Sequence, residues 1–161
     1  MKKQKGFSLI ELLIVVAIIL IIAAIAIPNL LRSRMAANES SAVGSLRTIN
    51  TAEVAYSTTY PSIGFTALTS LGGPAGTCAS TATSALACLI DDTLATTAVK
   101  SGYNFTIGNL TGAPVTVTYS ATALPTAAGQ SGQRGFCTDQ SGVIRYNAGG
   151  TACSVTGDPA L

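Results

Sequence analysis

Sixteen consecutive residues, Leu12 to Ile27, read LLIVVAIILIIAAIAI and include no polar side chain. Extending the run back to Phe7 admits only Ser8 and Glu11. The resulting 21 residues are close to the ~20 that a helix needs to cross ~30 Å of hydrocarbon. Lys2, Lys3 and Lys5 stand in front of it. A chain that opens this way is directed to a membrane. The whole chain is 161 residues, enough for one modest domain behind the run. Only 10% of its residues are charged, against about 25% in an ordinary soluble domain, so a cytosolic protein is not expected. Its 48% hydrophobic content equally argues against disorder. The formal charge of +2 is too small to argue for nucleic acid. The absence of histidine removes the commonest general base and metal ligand.

Three readings of the N-terminus compete. A secretory signal peptide would use Ala24-Ile25-Ala26 as its cleavage site. The run exceeds the usual 7–15 apolar residues, however, Glu11 interrupts it, and Pro28 follows the cut. A plain single-pass anchor accounts for topology. The lysines stay in the cytoplasm, and only Arg32 and Arg34 follow on the far side. That reading leaves Glu11 unexplained.

The third reading explains it. Gly6-Phe7-Ser8-Leu9-Ile10-Glu11, with the run that continues to Pro28, resembles the processing site of type IV prepilins. The resemblance implies that a prepilin peptidase cuts between Gly6 and Phe7 on the cytoplasmic side and N-methylates Phe7. It places the family's acidic position on Glu11 and its helix-kinking proline on Pro28. It implies an α+β pilin fold, in which a long N-terminal helix packs on a small antiparallel sheet. The expected divisions are a leader (1–6), a transmembrane or filament-core half-helix (7–28), an amphipathic half-helix (29–58) and a globular head (59–161).

A carboxylate inside an apolar helix is expensive and usually has a partner. Cleavage would create an amine at Phe7, about one helical turn from Glu11. Glu11 then pairs either with that amine of its own chain or with the amine of a neighbouring copy. Pro28 removes one backbone hydrogen bond, so a kink or unwinding is expected near residues 24–28.

Beyond Pro28, Leu31, Met35, Ala42, Leu46, Ile49 and Tyr56 keep to one helical face, with Asn38 and Glu53 in the two remaining slots. Arg32, Arg34, Glu39 and Arg47 are expected elsewhere. The helix should end before Pro61. Phe7, Tyr56 and Tyr60 are its only aromatics, too few and too far apart to suggest electron conduction, so the tyrosines are expected to pack on the head.

From Ser57 onward the chain is rich in Ser, Thr, Gly and Ala and carries seven charged side chains. Residues 67–87 read as an irregular loop, with a short helix near 85–89. Tyr103–Ile107 and Val115–Tyr119 alternate as strands around a Gly108–Pro114 turn. Arg134–Thr138 and Val143–Asn147 flank Asp139-Gln140-Ser141-Gly142. The run Phe136 to Arg145 resembles the closing hairpin of many pilin heads, which implies a four-stranded antiparallel sheet. Asp91-Asp92 reads as a solvated turn or a helix start.

The four cysteines allow three pairings. On the exported side disulfides persist. Cys78–Cys88 and Cys137–Cys153 are the favoured set, and the resemblance implies that the second staples the C-terminal loop to the hairpin. A loop of about 15 residues closed this way is worth roughly 3 kcal/mol in the chain-entropy model. No metal is expected, since there is neither a C-x-x-C pair nor a histidine. Asn38, Asn104 and Asn109 begin N-x-[ST] triplets, a weak signal in so Ser/Thr-rich a chain.

No catalytic constellation or cofactor site is legible. Without histidine the usual triads cannot be built, and Gly72-Gly73 lacks the phosphate-loop pattern. The expected function is therefore structural: a pilus subunit that waits in the inner membrane, head in the periplasm, and then enters an extracellular filament. Its expected partners are membrane lipid, prepilin peptidase, the inner-membrane assembly machinery and copies of itself. The alternatives are a pseudopilin of a type II secretion system, a minor pilin, or a membrane-anchored adhesin that never polymerises.

Overall fold

The computed structural model describes residues 6–73, 77–79 and 82–161. The leader lysines Lys2, Lys3 and Lys5 lie outside these, as do parts of the expected 67–87 loop. The chain divides into two compact units, Met1–Arg34 and Met35–Leu161. The sequence divisions fall elsewhere, after residues 28 and 58. The difference arises because the second half of the helix carries core residues of the head.

The helix α1 spans Leu9–Thr59. From Leu12 to Ile27 it is apolar on every side. Every large apolar side chain from Phe7 to Leu31 is 45–79% exposed. The segment is long and apolar enough to cross a membrane. In the second unit α1 buries Ala42, Val43, Leu46, Ile49, Ala52 and Tyr56 in the core of the head. Leu31, expected on that stripe, is exposed, and Met35 is half-buried. Glu39, expected outside, is buried.

The head sheet has five antiparallel strands in the order β1-β2-β3-β4-β5. They are β1 (Val99–Lys100), β2 (Tyr103–Thr111), β3 (Thr118–Pro125), β4 (Gly135–Asp139) and β5 (Arg145–Asn147). Phe105 pairs with Ala123, Ala123 with Phe136, and Cys137 with Arg145. Tyr103, Phe105, Tyr119, Ala121, Ala123 and Phe136 are buried in one core with the helix residues. Tyr56 also donates from its hydroxyl to the Ser84 carbonyl at 2.6 Å and packs its ring, tilted by 48°, against Tyr60 at 4.9 Å.

Two sequence expectations shift here. The sheet gains the two-residue β1. The second strand begins at Thr118, not Val115, and Val117 is 60% exposed. The cause lies at Gly112, whose φ of +126° and 2.3 Å approach of any Cβ to the Val115 carbonyl oxygen exclude a side chain. The chain turns through Gly112–Val117, and the strand then buries Tyr119, Ala121 and Ala123. Alanine is a poor strand former, so the core face of this strand has no β-branched signature.

Between α1 and the sheet lie α2 (Leu68–Leu71), a 3₁₀ turn (Thr77–Ala79) and α3 (Asp92–Thr96). Asp91 stands at the N-cap position of α3, with its carboxylate on Lys100 and no side-chain cap bond, so this pair is a helix start. The short helix expected at 85–89 is absent. Thr83 and Leu86 instead form a bridge around a tight turn. The amides of Ala87 and Leu89 then donate to the carbonyls of Ser70 and Leu71, which keeps the stretch extended.

Candidate processing and assembly site

Gly6, Phe7 and Ser8 precede α1 and are exposed. A Cβ at Gly6 would meet nothing within 4 Å. The Ser8 carbonyl accepts the Leu12 amide at 3.3 Å, which makes Ser8 the first residue to feed the helix. Glu11 reaches back, and its Oε2 accepts the Ser8 amide at 2.9 Å. This is the carboxylate half of a capping box, and it also places a negative charge at the positive end of the helix. The signal was in the sequence as Ser8-x-x-Glu11, a pattern that reading the segment as a membrane span passes over. The geometry brings Glu11 to the backbone beside Phe7.

Pro28 lies inside α1, which is continuous from Leu9 to Thr59. Of the kink or unwinding expected near residues 24–28, the unwinding does not occur.

The head holds its part of α1 through polar ties as well as apolar packing. Glu39 Oε1 accepts the amides of Gln133 and Arg134 at 2.9 and 3.1 Å. Its Oε2 accepts Arg134 Nε at 2.9 Å. Burial by itself pushes this carboxyl up. The Gln133 amide, the Arg134 side chain and amide, and the guanidinium charge outweigh it and hold the group below its ordinary value. The same guanidinium lies over Phe136 and Tyr146, 5.4 and 5.5 Å from their ring centres. Asn50 Nδ2 donates to Thr138 Oγ1 at 2.9 Å, and Asn50 Oδ1 accepts the Tyr119 hydroxyl at 2.8 Å. Asn38 Nδ2 donates to the Ser131 carbonyl at 2.8 Å. The sequence does not signal these partners, because the residues tied to α1 lie some 70–95 positions away.

The structure pairs Cys78 with Cys88 and Cys137 with Cys153, each with Cα atoms 5.6 Å apart, inside the usual disulfide range. The second bond joins β4 to the C-terminal segment. Asp158 lies near its sulfurs. With both sulfurs in a disulfide, no thiolate ligands exist there, and Asp158 accepts the Ser154 amide at 2.7 Å.

Comparison with known proteins places the N-terminal segment. The prokaryotic N-terminal methylation motif matches residues 1–27. The major component of the type IV wide pilus of Thermus thermophilus is 62% identical over 40 residues, which cover 25% of this chain and 30% of that protein. The type IV major pilin protein of Myxococcus xanthus is 46% identical over 54 residues, covering 34% of this chain and 24% of that protein. The chain thus spans less than a third of the length of the curated relatives it matches. No solved structure matches it significantly. The matched motif and the two pilin relatives make the N-terminal segment of this chain similar to that of type IV pilins, and the long apolar helix followed by a small antiparallel sheet is an α+β fold of the pilin kind.

Proposed function

We propose that this chain is the structural subunit of a type IV pilus and performs no catalysis. The observation that carries the reading is the apolar surface of α1. Leaving a large apolar side chain in water rather than burying it forfeits about 1.5–3 kcal/mol. From Phe7 to Leu31 every such side chain is largely exposed in the single chain. A surface of that extent is stable only in lipid or against other helices. On this reading it meets both in turn, first the inner membrane and then the packed helices of neighbouring copies.

Prepilin peptidase cuts between Gly6 and Phe7 and methylates Phe7. The N-terminus faces the cytoplasm, the head faces the periplasm, and Pro28 is the point at which the helix bends. The assembly machinery of the inner membrane then moves the subunit into an extracellular filament. The similarity to two major pilins supports the filament subunit over a secretion pseudopilin.

The experiment is Gly6→Val. Space at Gly6 is open, so the substitution meets no fold constraint and tests recognition by the peptidase. The intact mass is expected to stay that of the full precursor, with no surface filaments. Normal maturation and normal filaments in this variant would contradict the assigned cut.

A further inference from the structure

Glu53 is carried by α1 within the head and is 0% exposed. Its Oε2 accepts one hydrogen bond, from the Thr66 amide at 3.0 Å. Its Oε1 is buried and accepts none. Among the described residues no lysine or arginine forms an ion pair with it. Among the described residues, Tyr119 of β3 is a titratable group that feels the Glu53 charge, and Asp139 of β4 acts on the same Tyr119 hydroxyl. The Tyr119 hydroxyl is committed to Asn50 and offers Glu53 no donor. A buried carboxylate normally collects several donors or a cation, and one amide is too little for a full charge. Burial accordingly pushes this carboxyl up to about 7, with the Thr66 amide pulling the other way.

Thr66 belongs to the segment that leaves α1. The segment crosses to the β2–β3 turn, where the Phe65 amide donates to the Thr116 carbonyl at 3.0 Å and the Thr116 amide to Ile63 at 2.8 Å. Gly64, at φ +83°, allows this approach, because a Cβ there would lie 2.0 Å from the Thr116 oxygen. Phe65 packs on Tyr119 at 4.8 Å. The Glu53–Thr66 bond is thus a side-chain tie from this segment back to α1.

We propose that Glu53 and the Thr66 amide form a proton-controlled latch, in which the neutral carboxyl holds the segment Tyr60–Leu68 on α1 and ionisation releases it. Loss of the proton to water leaves a carboxylate whose Oε1 needs solvent. Solvent reaches it when the Thr66 segment lifts, uncovering Phe65 and the edge of Tyr119. The folded value lies above the ordinary 4.5, so the closed arrangement is most stable below pH 4.5 and loses that advantage as pH rises through about 7, where the cost of burying the charge outweighs the stronger bond from the Thr66 amide.

The test is hydrogen exchange of the full-length protein in detergent, corrected for intrinsic rates, at pH 5.5 and 8.5. The opening constant of the peptide containing Thr66 is expected to rise roughly thirtyfold, as a carboxyl titrating at 4.5 when open and about 7 when closed requires. Peptides of β3 and β4 should change little. In Glu53→Gln the rise should vanish. Equal protection at both pH values, or a rise that persists in Glu53→Gln, would overturn the latch. Infrared pH-difference spectra of the unaltered chain serve if that variant fails to fold. A protonated carboxyl band present at pH 6 and lost by pH 8.5 supports the proposal, and its absence at pH 6 overturns it.

Discussion

Replacing Glu39 by alanine is expected to destabilise the head by about 3 kcal/mol. The carboxylate side chain is 10% exposed and serves three donors at once. Its loss leaves the amides of Gln133 and Arg134 without an acceptor at the start of β4. The Arg134 side chain is 41% exposed and can be rehydrated, so the Coulomb part is screened and the amides dominate. Glu39→Gln retains an acceptor and should lose about half as much. All five tyrosines lie between Tyr56 and Tyr146, so near-ultraviolet circular dichroism of the full chain in detergent reports on the head. A loss below about 0.5 kcal/mol, the range of an ordinary surface substitution, would contradict the role assigned to Glu39.

The pH dependence carries the opposite sign to that of Glu53. The Glu39 carboxyl is held below its ordinary value when folded, so its contribution is complete above pH 4.5 and is lost as pH falls through the lower folded value. The Glu53 contribution is instead lost on the way up, between 4.5 and about 7. Head stability should therefore peak near pH 4.5–5. Removing Glu39 should flatten the acid side, and Glu53→Gln should flatten the neutral side.

The second large effect concerns Glu11. In Glu11→Ala the yield of sheared filaments is expected to fall at least roughly tenfold, the consequence of losing as little as 1.4 kcal/mol per assembly step. The substitution removes two things, the acceptor for the Ser8 amide and the charge that would meet a Phe7 amine. Glu11→Gln separates them. It keeps an acceptor for Ser8 and discards the charge. If charge pairing with a neighbouring copy drives alignment, Glu11→Gln should fail as Ala does, because opposite charges in low dielectric attract far more than neutral groups do. Normal yield from Glu11→Gln with poor yield from Glu11→Ala would reduce Glu11 to a helix cap. Filament mass recovered by shearing, set against total subunit in membranes, provides the measure.

How much of this was legible in the sequence follows the range of the interactions. The apolar run, its length and Glu11 within it could be read directly, because a membrane span is a local property. The strand at Tyr103 was legible because large residues alternate there. The strand at Thr118 was displaced, because its core face is Tyr119 and two alanines while the visible alternation, Val115 and Val117, belongs to a turn. Glu39 was misplaced for a different reason. Helical periodicity puts it off the apolar stripe, and only the fold brings Gln133 and Arg134 against it. Glu53 was placed on the buried stripe by periodicity alone. Its lack of a second donor depends on where Tyr119 and Thr66 come to lie.

On the proposed function, this chain becomes a filament by losing its first six residues and burying the helix so released. Filaments sheared from the cell surface, imaged and then analysed by mass spectrometry of their N-terminal peptide, test it most directly. The filament subunit is expected to be this chain, beginning at Phe7 and carrying one methyl group on that residue's nitrogen. Filaments built from another protein, with this chain found only in membranes and still carrying Met1, would contradict it.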